Sequence, residues 1–431
     1  MKKLHLFSFT AIASILLFAG CSKDSGKDAT GGDEPAPVNV KCISLNGHDL
    51  YQTDGSRLFV KGVNLANWLN PEGYMWNFQK RSAHQIDEMF RQLVGPDFTD
   101  RFWADFIDNY ITIDDMRFIK STGANTVRLP IHYKLFTAES YMGSNDPDLG
   151  IRILDRVIGW CKETGLYLII DMHCAPGGNA GDNIDDSYGY AWLFTSEANK
   201  KQLCDIWKKI ADHCKAEPIV LGYELLNEPI SSNHSELYPE LHPMMKRLTK
   251  AIREVDPNHI VIWGGANYNE LFEGIYDPAD GVFNSKSSEY DGKVMFACHR
   301  YGSDWIEPFV QWRDKMNCPM LMTEWGHGTS SEWQLNFAKK MQANNIGYTA
   351  WPYKMIGPWE SSFTMVKEPA NWDKIVEFEK ADRMNYDDII AARDKCGQDV
   401  ARKAMTDFIE NCKHGNCVRL QHYINSMNFN D

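Results

Sequence analysis

With 431 residues, 43% of them hydrophobic and 12% aromatic, the chain can bury a large core, either as one long barrel or as two ordinary domains. Its formal charge is −13, and −15 without residues 1–20, which hold Lys2 and Lys3 and no acid. A surface so acidic repels nucleic acid and anionic membrane, and neither is expected as a partner.

Lys2 and Lys3 precede the apolar stretch Leu4 to Ala19, which closes on Phe18-Ala19-Gly20-Cys21. This is the pattern of a cleaved export signal, here residues 1–20. The small residues before Cys21 resemble a bacterial lipoprotein lipobox, with Phe18 where leucine is usual. Cys21 is therefore the expected lipidation site, an ordinary secretory signal being the alternative. An exported lipoprotein of the outer membrane follows, on its periplasmic or its outer face. No later apolar run approaches the roughly 20 residues that span a bilayer, so membrane contact is expected only through the N-terminal lipid anchor. Residues 21–40 are polar, Gly- and Pro-containing and aperiodic, as in a flexible linker, and 41–431 read as one folded domain. Of the other cysteines, Cys412 and Cys417 are the best disulfide candidates, whereas Cys161, Cys204, Cys214, Cys298 and Cys318 sit in apolar contexts that suit buried free thiols.

From Cys42 to Phe59, Asn46-Gly47 and Asp54-Gly55 separate short apolar segments, a hairpin pattern suited to plugging the lower end of a barrel. Strand and helix signals then alternate. The strands are Phe59 to Leu65, Ala124 to Leu129, Leu166 to Met172, Ile219 to Leu226, Ile260 to Trp263, Val294 to Cys298, Met320 to Thr323 and Gly347 to Trp351. Helical stripes fall between them, several ending at a glycine. If Trp372 to Ala381 is the last helix, this makes eight strand–helix units: a single (β/α)8 TIM barrel with extra C-terminal helices, including an amphipathic one from Asp399 to Cys412 that is expected on the barrel wall. Long connections follow the first, third, fifth and eighth strands, at about 66–114, 173–196, 264–293 and 352–371. They are rich in Trp, Tyr, Gly and Asn, which suits a carbohydrate cleft. Trp68, Trp76, Trp192, Trp305, Trp325 and Trp359 fall in or beside them, where one or two are expected to stack on sugar rings.

The fourth and seventh strands each end in a carboxylate, Glu228 after Glu224-Leu225-Leu226-Asn227 and Glu324 after Met320-Leu321-Met322-Thr323. Strand ends on opposite sides of such a barrel can hold two carboxyls about 5 to 5.5 Å apart, the separation used in retaining glycoside hydrolysis. An isolated buried charge is costly, so two glutamates at apolar strand ends point to a shared purpose.

With these motifs the sequence resembles glycoside hydrolase family 5, the cellulase-like TIM barrels, over roughly Phe59 to Ala381. The resemblance implies Glu228 as acid/base and Glu324 as nucleophile. It also implies substrate contacts or support from Arg128 in Asn-Thr-Val-Arg-Leu-Pro, His173 in Asp-Met-His, Asn227 before the acid/base, His299 and Tyr301 in His-Arg-Tyr, and Trp351 under the scissile sugar. The loop Ala175 to Asn183 and the opening Gly62 to Leu69 are similar to the exo-β-1,3-glucanase branch, which implies a β-glucan or β-glucoside substrate and no metal or organic cofactor. The alternatives are an endo-acting cellulase or β-mannanase, a non-catalytic surface glycan-binding protein, and a metal-dependent hydrolase with ligands His132, His173 and His299. Each supporting residue also admits a structural role: Arg128 paired with an acid, His173 and His299 as satisfied core histidines, and Trp351 as core. Asp182, Asp185 and Asp186 read as a solvated loop, or else as a Ca²⁺ site. A monomer is the default.

Overall fold

The computed structural model describes residues 40–283, 293–357 and 361–430. The signal peptide, the linker up to residue 39, Cys21 and Trp359 lie outside the described residues. Three short strands come first, β1 (Ser44–Asn46), β2 (Asp49–Tyr51) and β3 (Arg57–Leu58), paired antiparallel. The eight expected strands follow as β4 (Lys61–Asn64), β5 (Thr126–His132), β6 (Tyr167–Cys174), β7 (Val220–Glu224), β8 (Ile260–Gly264), β9 (Val294–Arg300), β10 (Met320–Trp325) and β11 (Gly347–Ala350). They pair in parallel in sequence order, and β11 pairs with β4 through Tyr348 opposite Lys61, closing the barrel.

Every residue of β5, β7, β8, β9, β10 and β11 is buried, as expected for strands covered by helices outside and side chains within. The first sheet plugs one end. Ile43, Leu50 and Leu58 form a cluster with Ile169, Leu221, Ile260, Ile262, Met295, Ala297 and Leu321, which point into the barrel. Each such aliphatic side chain contributes roughly 1.5–3 kcal/mol on burial. With this end sealed, polar chemistry is confined to the opposite mouth, where the strands end.

The wall departs from expectation at three places. The last wall helix is Gln421–Ser426, not Trp372–Lys380: Ser426 bonds Gln334 on the helix Ser331–Ala343 at 2.5 Å, and the tail behind it bonds Gln342 through Asn428 and Lys61 through the carbonyl of Phe429. The Trp372 ring instead stacks on Trp76 and Phe408. The connection 66–114 is largely two helices, Ala83–Val94 and Pro96–Asn109, and the amphipathic helix Gln398–Cys412 packs on these through Phe408 rather than on the barrel. Between β8 and β9, the described residues contain only the four-residue helix Ala266–Asn269 and one 3₁₀ turn.

One further expectation is corrected. Cys412 and Cys417 are both free thiols, each facing backbone carbonyls at the end of a helix: Cys412 meets Ile409 and Cys417 meets Cys412. Trp68, Trp76 and Trp325 are fully buried in the core and present no face to a ligand, whereas Trp192 and Trp305 are about half exposed.

Candidate active site

At the mouth of the barrel, β5, β7 and β10 converge on one guanidinium. Arg128 is fully buried and spends all three nitrogens on neighbours. Nε and Nη2 donate to the two oxygens of Glu224 at 2.7 and 2.9 Å. Nη1 donates to Glu324 Oε1 at 2.7 Å and to Asn64 at 2.9 Å, and Nη2 also reaches Asn227 Oδ1 at 2.8 Å. Asp171 lies 3.1 Å away. The structural pairing and the contact with Glu324, alternatives on sequence grounds, therefore both hold.

Glu324 is pinned from its other side by the Tyr301 hydroxyl, which donates to Oε2 at 3.0 Å. Glu228 bonds His299 Nδ1 at 2.7 Å. One oxygen of each glutamate and a ring nitrogen of His299 lie within 4.8 Å of one another. Among the described residues this is also the one His, Cys, Asp and Glu cluster compact enough to hold a cation, and two of its members, Glu228 and His299, are already hydrogen-bonded to each other. Glu228 has a backbone φ of +42°, a region costly for a residue with a Cβ. The turn is held by the loop after β6, where Asn179 bonds the carbonyl of Asn227 and accepts from the amide of Ile230. This is why two loops far apart in sequence are needed to aim one carboxyl.

His173 donates through Nδ1 to Asp171 at 2.8 Å, meets the Asn227 amide through Nε2 and stacks on Trp351 at 5.4 Å with the rings 5° apart. The eight positions implied by the resemblance are thus all at one mouth. Glu228, Glu324, His173, Tyr301 and Trp351 line a cavity of about 300 Å³, closed by Glu72, Tyr74, Ile184 and His327, while Arg128, Asn227 and His299 stand behind it. A larger groove of about 480 Å³ between Phe118 and the C-terminal helix has no carboxylate or histidine in its lining.

A profile of the cellulase family, glycosyl hydrolase family 5, matches residues 88–355, more than half of the chain. The chain belongs to this family. A β-xylosidase of Phanerodontia chrysosporium is 28% identical over 59% of this chain and 52% of its own length, so the chain spans about half of that relative. A protein described as a probable glucan 1,3-beta-glucosidase A of Aspergillus fumigatus is 27% identical over 67% of this chain and 72% of its own. The crystal structure of AoRut superposes with a TM-score of 0.54 at 17% identity, over 69% of this chain and 89% of that one, a likeness of fold.

Within this family 5 barrel the electrostatics are lopsided. Burial lifts Glu228 well above the usual carboxylate range, and the charges of Glu324 and Glu72 push the same way. Burial also raises Glu324, but the charged Arg128 guanidinium opposes it, so of the two glutamates Glu324 ionises first. Asp171 is pushed up to about 7 by burial against the pull of Arg128, and its Oδ1 has no partner. Burial holds His173 down to about 4 and His299 well below its usual value, so both rings are neutral near pH 7.

The three histidines do not converge on a metal position: His132 bonds Asp186, His173 bonds Asp171 and His299 bonds Glu228. Nor are the aspartates after His173 a solvated loop. Asp185 accepts the backbone N–H groups of Ala180, Gly181 and Ser187, Asp186 bridges His84 and His132, and Asp182 takes Lys80.

Sequence reasoning gave no role to Asn64, Glu72, Tyr74, Glu224 or Thr323. Glu72 is buried, faces the cavity and is pushed well above the carboxylate range by burial and by Glu324. Tyr74 accepts the Trp351 indole N–H at 2.6 Å and sets its plane. Glu224 carried a usable signal, because a buried arginine needs more than one acceptor and an acid sits at the end of β7, an apolar strand two places along the barrel from β5.

Proposed function

We propose that this chain is a retaining β-glycoside hydrolase acting on β-glucans or β-glucosides, with Glu324 as nucleophile and Glu228 as acid, then base. The carboxyl pair carries the reading. Its separation fits the retaining geometry and leaves no room for the intervening water that inversion needs. Glu324, nearest the guanidinium, attacks the anomeric carbon as Glu228 passes its proton to the departing oxygen, and an alcohol leaves. Water then attacks the same carbon, gives its proton to Glu228 and releases Glu324. The family assignment and the glucosidase relative support the reaction class.

The cavity, at the small end of ligand sites and walled by Glu72, Tyr74 and His327, supports exo action on a terminal sugar over an open endo cleft. The signal sequence and Cys21 support an exported lipoprotein anchored at the outer membrane, with residues 21–40 as tether and 41–431 as the catalytic domain. Glu228→Gln and Glu324→Gln variants test the assignment on laminarin, cellulose, mannan and aryl β-glucosides. Each is expected to lose several orders of magnitude in kcat with an unchanged circular dichroism spectrum, and near-native turnover by either one contradicts the reading.

A further inference from the structure

We propose that Glu224 and Thr323, neither of which lines the cavity, fix the tautomer of His299 and so keep the acid's proton on Glu228. The inference rests on the retaining-glycosidase reading above and adds to it two positioning residues.

The side chains form a continuous chain of hydrogen bonds. Glu224 has Arg128 on both oxygens, and Oε1 is also 3.1 Å from the Thr323 hydroxyl. Burial and the charge of Asp171 push the Glu224 carboxyl upward, yet each oxygen accepts an N–H of a permanently charged guanidinium, a bidentate pairing that favours the ionised form. Glu224 is therefore ionised. Thr323 has one hydroxyl hydrogen and two acceptors in reach, this carboxylate and His299 Nε2 at 3.0 Å. The charged acceptor makes the stronger bond and takes the hydrogen.

The Thr323 oxygen then turns its lone pair to His299 Nε2, which must carry a hydrogen. A neutral imidazole has one N–H, so Nδ1 is bare. Its 2.7 Å contact with Glu228 Oε1 is then a hydrogen bond only if Glu228 supplies the proton. Asn269 agrees. Its amide lies 3.1 Å from Nε2, and its oxygen has no partner while the nitrogen faces the ring. Turning the amide over gives that oxygen the Nε2–H.

The other groups facing Glu228 do not reverse this. Glu324, Glu72 and Asp171 are acidic and favour the protonated form, Tyr74, Tyr268 and Tyr301 are neutral phenols, and Arg128, which opposes it, is already committed to four acceptors.

Imidazole nitrogen NMR on the full-length protein labelled with ¹⁵N-histidine reads the tautomer directly, with His299 assigned by the signal missing from His299→Asn. The expected result is a hydrogen on Nε2 and a bare Nδ1; a hydrogen on Nδ1 overturns the proposal whatever the variants do. In Thr323→Val the ring is free to move its hydrogen to Nδ1 and donate to ionised Glu228. The basic limb of the kcat/KM profile on aryl β-glucosides should then move about one unit to lower pH, equivalent to about 1.4 kcal/mol, with larger losses for poor leaving groups than for activated ones. Thr323→Ser should restore the limb. A basic limb that stays in place or rises in Thr323→Val also overturns it. Full activity of Glu324→Gln would instead sink the glycosidase reading and leave the NMR result standing.

Discussion

Arg128 reaches Glu324 with Nη1 at 2.7 Å while its other two nitrogens are held by Glu224, so the proposed nucleophile is gripped by a cation that is itself clamped from behind. Lysine cannot reproduce this fork, because it offers a point charge where two planar, bidentate bonds are needed. Arg128→Lys should lower kcat by roughly 10²- to 10³-fold, the usual effect of removing one aligned donor at a reacting centre. Arg128→Met should in addition cost about 3–5 kcal/mol of stability, because Glu224 and Asp171 are left buried without their partner. Steady-state kinetics and urea unfolding check both, and a variant with lowered stability but native kcat contradicts the linkage to Glu324.

The barrel was legible because each strand is a short apolar run closed by a turn former, and because the residues that carry chemistry stand where those runs stop. Glu228 and Glu324 were visible on the same grounds. Other features were hidden by different causes. In the connection 66–114, Ile86, Met89, Phe90 and Leu93 do form a helical stripe, capped by Ser82 and Gln85, but Pro96 and the density of aromatics gave the stretch the look of a loop. The closing wall helix, Gln421–Ser426, is too short to show a period, so the longer Trp372–Lys380 helix took its place in the reading. The spacing of Cys412 and Cys417 suits a disulfide, yet the helix end turns their thiols toward carbonyls. Glu224, Thr323 and Asn64 act through other side chains, and pairings between strands are not written in any one strand.

Among the described residues no Lys or Arg pairs with Glu72, which is buried beside the two glutamates, a costly arrangement unless a ligand hydroxyl comes to meet it. Glu72→Ala should reduce kcat/KM on aryl β-glucosides by roughly 2- to 10-fold, matching the 0.5–1.5 kcal/mol of a hydrogen bond between neutral groups. The melting temperature should hold or rise, since an uncompensated acid has been removed. A lower melting temperature with unchanged kinetics would make Glu72 structural.

Below the barrel, His259 donates from Nδ1 to Asp256 at 2.6 Å, with Nε2 3.0 Å from the carbonyl of Glu217. Two acceptors call for two N–H groups. Burial pushes the ring's pKa down, but Asp256 and Cys42 outweigh it and bring it up to about 9. The unfolded chain releases the same proton near 6.5. Stabilisation is therefore full below about pH 6.5 and is lost as pH rises through 9, by at most about 3 kcal/mol. Unfolding free energies between these limits should fall in the native protein and stay flatter in His259→Asn; equal slopes would contradict a charged His259.

The stereochemistry of the first-formed product tests the two-carboxylate account most directly. Proton NMR during hydrolysis of an aryl β-glucoside, read before mutarotation, should show the β-anomer appearing first, because Glu324 inverts the anomeric carbon once and water inverts it again. First appearance of the α-anomer would mean a single displacement and would contradict the roles given to Glu228 and Glu324.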